Sequence, residues 1–258
     1  MDITALRTLY DRQRRIGARP DGPGCRVERE GLVVRHAGPE YAWNGVLWSG
    51  LGPKDADAAI AAQIGHFRAA GHSFEWTVYG HDGPADLADR LLAAGFTAEE
   101  SETLMVAEAA SLPASVDLPD GVELHSVTDE AGVRMMAEVH EKAFGTDSSR
   151  YVSRMLDQLA AAPDSVAAVV ALADGVPVSS GRLDLPEDCD FAGLYGGGTV
   201  AEWRGKGLYR ALVFHRARTA IARGYRYVQV DAAPTSRPIL KRLGFAELTT
   251  MTPYVYEL

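Results

Sequence analysis

The sequence predicts an α/β fold, a mixed and mostly antiparallel sheet flanked by helices, built twice in tandem. Three observations carry this. Strand-length apolar runs alternate with helical periodicity through most of the 258 residues. The stretch "SLPASVDLPDG" (111–121) has neither periodicity and separates two patterned halves. The element order of the second half recurs in the first. The expected division is a domain at 1–112, a linker at 113–120 and a second domain at 121–258.

The second half reads element by element. "VELHSV" (122–127) is a strand, and 129–144 is a helix capped by Thr128 or Asp129. "SSRYVSRMLDQLAAA" is a second helix. "VAAVVALA" (166–173) has strand length, and "DGVP" turns it into "VSSGRLDL". A strand from Phe191 to Val200 follows, then the turn "RGKG", then a helix from about Leu208 to Arg223. "YVQVD" is a strand, and "SRPILKRLGF" a short helix closed by Gly244 in a left-handed cap. Thr249–Leu258 ends the chain as a strand.

The first half repeats the plan. The stripe Ala56, Ile60, Ile64, Phe67 with its stop at Gly71 matches Tyr209, Val213, Ala217, Ala220 and Gly224 at one constant offset. "FEWTVY" stands where "YVQVD" does, and "LLAAGF" where "LKRLGF" does. This order points to an internal duplication.

Composition bounds the function. The chain is 47% hydrophobic and 24% charged, an ordinary globular balance. Its 35 acidic and 26 basic residues give a net charge of −9, which argues against a nucleic-acid partner. No run approaches the ~20 apolar residues of a membrane span, and "MDITALRTLYDRQRRIG" has no signal-peptide core. Cys25 and Cys189 form no metal-spaced pair, so neither a disulfide nor a metal site is expected. The expectation is a cytoplasmic protein, monomer or homodimer, with a small-molecule or peptide substrate.

The chemistry sits at "GGGTVAEWRGKGLYRAL" (196–212). It fails as a Walker A loop, because Val200 replaces the first Gly and Gly207 follows the Lys. It fails as a dinucleotide fingerprint, because Arg210 replaces the third Gly. The physics survives both failures. A helix N-terminus with Gly205 and Gly207 lets backbone N–H groups approach an anion, and Arg204 and Lys206 add charge. The competing reading is a solvated basic turn. Gly196, Gly197 and Gly198 inside a strand favour a bulge or a ligand lying on the backbone.

This arrangement resembles the GNAT acetyltransferase superfamily, whose strand–turn–helix pattern is matched by Arg204, Gly207 and Tyr209 in "RGKGLY". The resemblance covers about 122–258 in element order, and in outline extends to tandem members such as mycothiol synthase. It implies acetyl-coenzyme A as cofactor. The pyrophosphate would lie on Arg204, Gly205, Lys206, Gly207, Leu208 and Tyr209, and the pantetheine arm along Thr199 and Val200, with Ser236 within reach of the arm. It implies acetyl transfer to a primary amine by direct attack on the thioester. The tyrosine that many members place before Gly-Phe is Leu240 here, so that acid is missing. At the matching position of the first half, "LGPK" puts Leu51 for Arg204 and Pro53, which has no N–H, for Lys206. The first half is therefore expected to be a degenerate copy.

Candidate acids are Ser236, Tyr254 and Tyr256. Each has a packing or capping role as its competing explanation. Candidate bases are Tyr195, Glu202 and a carboxylate acting through water, and backbone N–H groups near Val200 are candidates to polarise the carbonyl. Asp147, in "FGTDSSRY", is a candidate to hold a cationic substrate, or else an exposed loop acid. His215 reads as a surface residue, and the four tryptophans as packing. The alternative to an enzyme is an acyl-CoA sensor or scaffold without turnover.

Overall fold

The computed structural model describes residues 2–114 and 117–258; residues 115 and 116 of the expected linker lie outside the described residues. Helix α1 (Ile3–Tyr10) starts on Asp2, whose carboxylate accepts from the amides of Thr4 and Ala5. It widens into a π turn over Asp11–Ile16, where Gly17 donates to the Arg12 carbonyl at 2.9 Å. Arg15 pins this turn. It is 2% exposed, pairs with Asp11 at 2.9 Å and with Asp82, and lies 3.8 Å from the centre of the Tyr79 ring.

The first half continues with β1 (Arg26–Glu30), β2 (Val33–Ala37), β3 (Gly45–Ser49), α2 (Ala56–Ala70), β4 (Phe74–Tyr79), α3 (Leu87–Ala93), β5 (Thr97–Ala98) and β6 (Glu102–Glu108). The second half runs β7 (Val122–Val127), α4 (Glu130–Phe144), α5 (Ser149–Ala161), β8 (Val166–Ala173), β9 (Val176–Asp184), β10 (Phe191–Thr199), α6 (Leu208–Ala222), β11 (Tyr227–Ala232), α7 (Arg237–Arg242) and β12 (Ala246–Tyr256). Asp129 is the cap of α4, accepting from Gly132 N at 2.9 Å. Gly71, Gly224 and Gly244 follow their helices at φ of 75°, 86° and 98°. The last strand begins at Ala246, three residues earlier than its alternation suggests.

One mixed sheet contains all of these strands, in the order β1-β2-β3-β4-β12-β6-β11-β10-β9-β8-β7, with β5 paired to β12. Its centre is a strand exchange. β12, from the second half, pairs with β4 of the first; β6, from the first half, pairs with β11 of the second; and β6 and β12 pair with each other. The pairing repeats across the centre: Trp76 opposite Tyr254 corresponds to Val230 opposite Met105, all four facing the same helical layer. The strands thus match one residue later than the helices do, so Phe74 corresponds to Val228 and not to Tyr227.

Two layers of helix cover the sheet. The cores beneath α2 with α3, and beneath α6 with α7, contain Phe67, Phe74, Trp76, Leu91 and Tyr254 in one half and Leu194, Phe214, Val228, Leu240 and Phe245 in the other. The opposite face carries α1, packed by Leu6 and Tyr10 on Tyr79, Leu104, Phe191 and Tyr227, and α4 with α5, packed on β8. No helix among the described residues is long and apolar enough to cross a membrane.

Candidate functional site

β10 and β11 run parallel and are paired only over Phe191–Gly193 and Tyr227–Gln229. Beyond these residues the sheet opens between them. On its other edge β10 bulges: Tyr195 faces Arg182 and Gly198 faces Ser180, so Gly196 and Gly197 stand opposite one residue of β9. Gly196 takes φ of 57°, and both glycines are exposed. The bulge is held from behind by Arg216 of α6, 3% exposed, which donates Nη1 to the carbonyls of Arg182 (2.9 Å) and Tyr195 (3.2 Å) and Nε to Leu212 (3.0 Å). Burial lowers its pKa to about 10 and leaves it charged at neutral pH. Gly181 makes room: a Cβ there would lie 2.6 Å from the Arg216 Cζ.

The Arg204–Gly207 turn follows at the open end. Gly205 and Gly207 take φ of 76° and 88°, in the left-handed region that glycine enters without strain. No acceptor among the described residues meets the amides of Gly205, Lys206, Gly207, Leu208, Tyr209 or Arg210, and α6 has no acidic residue in its first turn. The corresponding helix of the first half, α2, starts on Asp55 with Asp57 in its first turn, and Leu51 is buried. Two acidic residues at this N-terminus disfavour a bound anion there. Lys206 lies over the Trp203 ring at 4.2 Å. Arg204 does not face the amides: Nε donates to the Thr199 carbonyl at 3.1 Å and Nη2 to that of Ala143 at 3.0 Å, so it clips the turn to β10 and α4.

On the α1 face, the gap between β10 and β11 meets a polar cluster. The Tyr195 hydroxyl accepts from Gln229 Nε2 at 2.6 Å, and its ring lies against Gly193, where there is no room for a Cβ. Burial raises the Tyr195 pKa far above the ordinary phenol value, so it acts as a neutral donor. Burial pushes Asp231 up to about 6 against the pull of Arg14, with Glu75 adding to the rise and the Tyr195 hydroxyl opposing it. Glu102, on the neighbouring strand β6, is pushed up to about 7, first by burial and then by the charge of Asp231. Arg14 reaches in from the π turn. Tyr151 of α5 lies over the bulge, its hydroxyl 3.4 Å from the Cβ position of Gly196. His140 stacks on Tyr151 at 5.9 Å between ring centres.

Tyr195 and the turn both follow from β10, at either end of its glycine bulge, and the structure separates other candidates from them. Tyr254 is 8% exposed in the first half's core and Tyr256 lies beside Arg68 there, because β12 crosses into that half. Neither reaches the gap, which corrects the expectation of an acid on the last strand. Asp147 is an exposed loop acid whose carboxylate is taken by the Ser149 hydroxyl. The Val200 amide donates to the Val178 carbonyl at 3.0 Å, so it has no proton left to polarise a ligand. Ser236 begins α7 as expected, but its hydroxyl donates to the Ala233 carbonyl at 3.1 Å and caps no helix amide. Glu202 is exposed, His215 is half-buried, and Leu240 is fully buried. Arg14, Glu102 and Asp231 were missed. Asp231 interrupts an apolar strand, a visible signal, whereas Arg14 and Glu102 come from the other half.

No protein-family model matches the sequence, and no curated protein matches it. Solved structures do. A GCN5-related N-acetyltransferase from Kribbella flavida superposes with a TM-score of 0.73 at 19% identity, over 98% of this chain and 95% of its own. A functionally unknown conserved protein from Staphylococcus epidermidis gives 0.73 at 16% identity, over 98% and 99%. A tandem GNAT protein from the clavulanic acid biosynthesis pathway gives 0.64 at 15% identity, over 93% and 86%. The chain has the fold of the GNAT acetyltransferase superfamily over nearly all of its length.

Proposed function

We propose that the protein is an acetyl-CoA-dependent N-acetyltransferase acting on a primary amine, with the first half a degenerate copy, residues 1–112, that lends side chains to the second half's site. The observation that carries this is the row of amides from Gly205 to Arg210 without acceptors, next to a bulged strand that parts from its neighbour. An anion of pyrophosphate size suits the turn. An extended arm suits the open edge of β10. Bound there, acetyl-CoA supplies an activated acetyl group as a thioester.

The chain's own residues do the rest. Glu102 and Asp231 are neighbouring carboxyls whose pKa values, raised to about 7 and about 6, suit a base that takes a proton from an ammonium near neutral pH. Tyr195, neutral, accepts from Gln229 and hydrogen-bonds Asp231, so it positions the carboxyl pair at the opening between the strands. Arg216 keeps the bulge in shape. A binding-only module has no use for a raised carboxyl pair beside the opening, which favours turnover over the sensor reading. A cytoplasmic setting agrees with two cysteines that are both free. The test is release of free thiol from acetyl-CoA in the presence of a primary-amine library, with mass spectrometry of the products. Thiol release that no amine accelerates would remove the transferase reading.

A further inference from the structure

Three polar atoms near the Tyr195–Asp231 opening are buried and have no hydrogen-bond partner among the described residues: Asp231 Oδ1, Gln229 Oε1 and Arg14 Nε. Gln229 is 0% exposed. Its amide nitrogen is committed to Tyr195, which leaves its oxygen aimed at nothing. Buried polar groups are nearly always satisfied, and each exception calls for an explanation. These three exceptions are linked through Tyr195 and differ in kind. Two are acceptors and one is a donor.

Arg14 is the unusual member. Its neighbour Arg15 is held by Asp11, Asp82 and the Leu47 carbonyl. Gln13 is held by Asp190, to which it both donates and accepts. Arg14 has no ion pair within 4 Å among the described residues and its Nε has no acceptor; the Cys189 thiol is the one side chain it meets as a hydrogen-bonding neighbour, and Tyr195, Tyr10, Asp184 and Asp231 surround it electrostatically. The flanking residues are fastened elsewhere, Arg15 to Asp82 and Gln13 to Asp190, and Arg14 lies between them on the π turn among Tyr10, Tyr195 and Asp184. A guanidinium is a fork that matches a carboxylate, and leaving it unmatched in a buried site is costly.

We propose that the acceptor is a zwitterion of the α-amino acid kind, a primary amine carrying a carboxylate, with Arg14 binding the carboxylate and Gln229 and Asp231 receiving the N–H groups of the amine. This rests on the acetyltransferase reading for its role in turnover, but the binding site stands by itself. The first half then has a stated part in specificity, since Arg14 belongs to it.

The test uses the common amino acids, each beside the amine that remains without its carboxyl group. Both sets are titrated into the protein alone and into its complex with CoA, and thiol release from acetyl-CoA is followed in parallel. A carboxylate-bearing acceptor is favoured over its decarboxylated partner by on the order of 100-fold in affinity or kcat/KM. Arg14→Gln erases that preference by raising KM for the amino acid while the affinity for CoA, measured on the same sample, shows that the fold is kept. Arg14→Lys, which keeps the charge and loses the fork, falls between. Equal use of both partners, or a preference that survives in Arg14→Gln, overturns the proposal. So does a protein that binds CoA but no amino acid. A protein that binds amino acids through Arg14 but not CoA would instead overturn the acetyltransferase reading and leave this site standing.

Discussion

Gly181→Ala tests whether the bulge is held from behind. The added Cβ would lie 2.6 Å from Cζ, 2.8 Å from Nη1 and 3.0 Å from Nε of Arg216, all inside van der Waals contact. The guanidinium must retreat by roughly 1 Å to restore ordinary contact. Nη1 now sits 2.9 and 3.2 Å from the Arg182 and Tyr195 carbonyls, so that retreat takes both bonds beyond hydrogen-bond range. Bonds from a charged donor contribute about 1.5–3 kcal/mol each, and partial relaxation recovers some of it. A loss of about 3 kcal/mol is expected in urea unfolding, and acetyl-CoA affinity should fall about tenfold because the bulge shapes the cleft. Gly197→Ala is the control. Its Cβ would meet Tyr209 at 3.8 Å and Arg216 Nη2 at 3.9 Å, with no positive φ to strain it, so its stability should stay within about 0.5 kcal/mol of the parent. Equal stabilities for Gly181→Ala and Gly197→Ala would refute the reasoning.

Further predictions concern the carboxyl pair and the last strand. Acetyl transfer should rise with pH through about 7 and then level, and Glu102→Gln should lower kcat/KM by about 100-fold and flatten that rise, checked by pH–rate profiles. Stability should move the other way. The folded Glu102 and Asp231 hold protons that the unfolded chain has released, so stability falls as pH climbs from about 4 to about 7 and is then constant. Melting of Asp231→Asn should therefore exceed the parent's at pH 8, with the gain gone at pH 4. Tyr254→Phe should leave acetyl transfer within about twofold of the parent in the thiol-release assay, since Tyr254 packs in the first half's core.

Much of the fold was legible, for identifiable reasons. Strands 122–127 and 166–173 were bounded by turn residues and came out at those limits. The left-handed glycines at 71, 224 and 244 marked helix ends because few other residues enter that region. The anion turn was legible as backbone chemistry, which needs only Gly, position and a following helix. The strand exchange was not. Alternation in β6 and β12 tells which face is buried but not which strand lies alongside, so Tyr254 and Tyr256 stood as candidate acids although β12 pairs with β4 and carries them into the first half. Arg204 was assigned to phosphate from its charge, whereas its guanidinium serves two carbonyls. Arg14 carried no signal within the basic stretch "RQRR", because the π turn on which it sits has no sequence period.

The most direct test of the account is calorimetric titration of acetyl-CoA into Gly207→Asn and Gly207→Asp beside the parent. Gly207 has φ of 88°, and Asn and Asp both tolerate that region, so the two variants share shape and strain and differ by one negative charge. The account predicts that Asn binds within about tenfold of the parent while Asp loses binding by a further ~10-fold or more, an effect that shrinks as salt is raised. Equal affinities for Asn and Asp would mean that no phosphate lies on this turn, and the proposed cofactor site would be wrong.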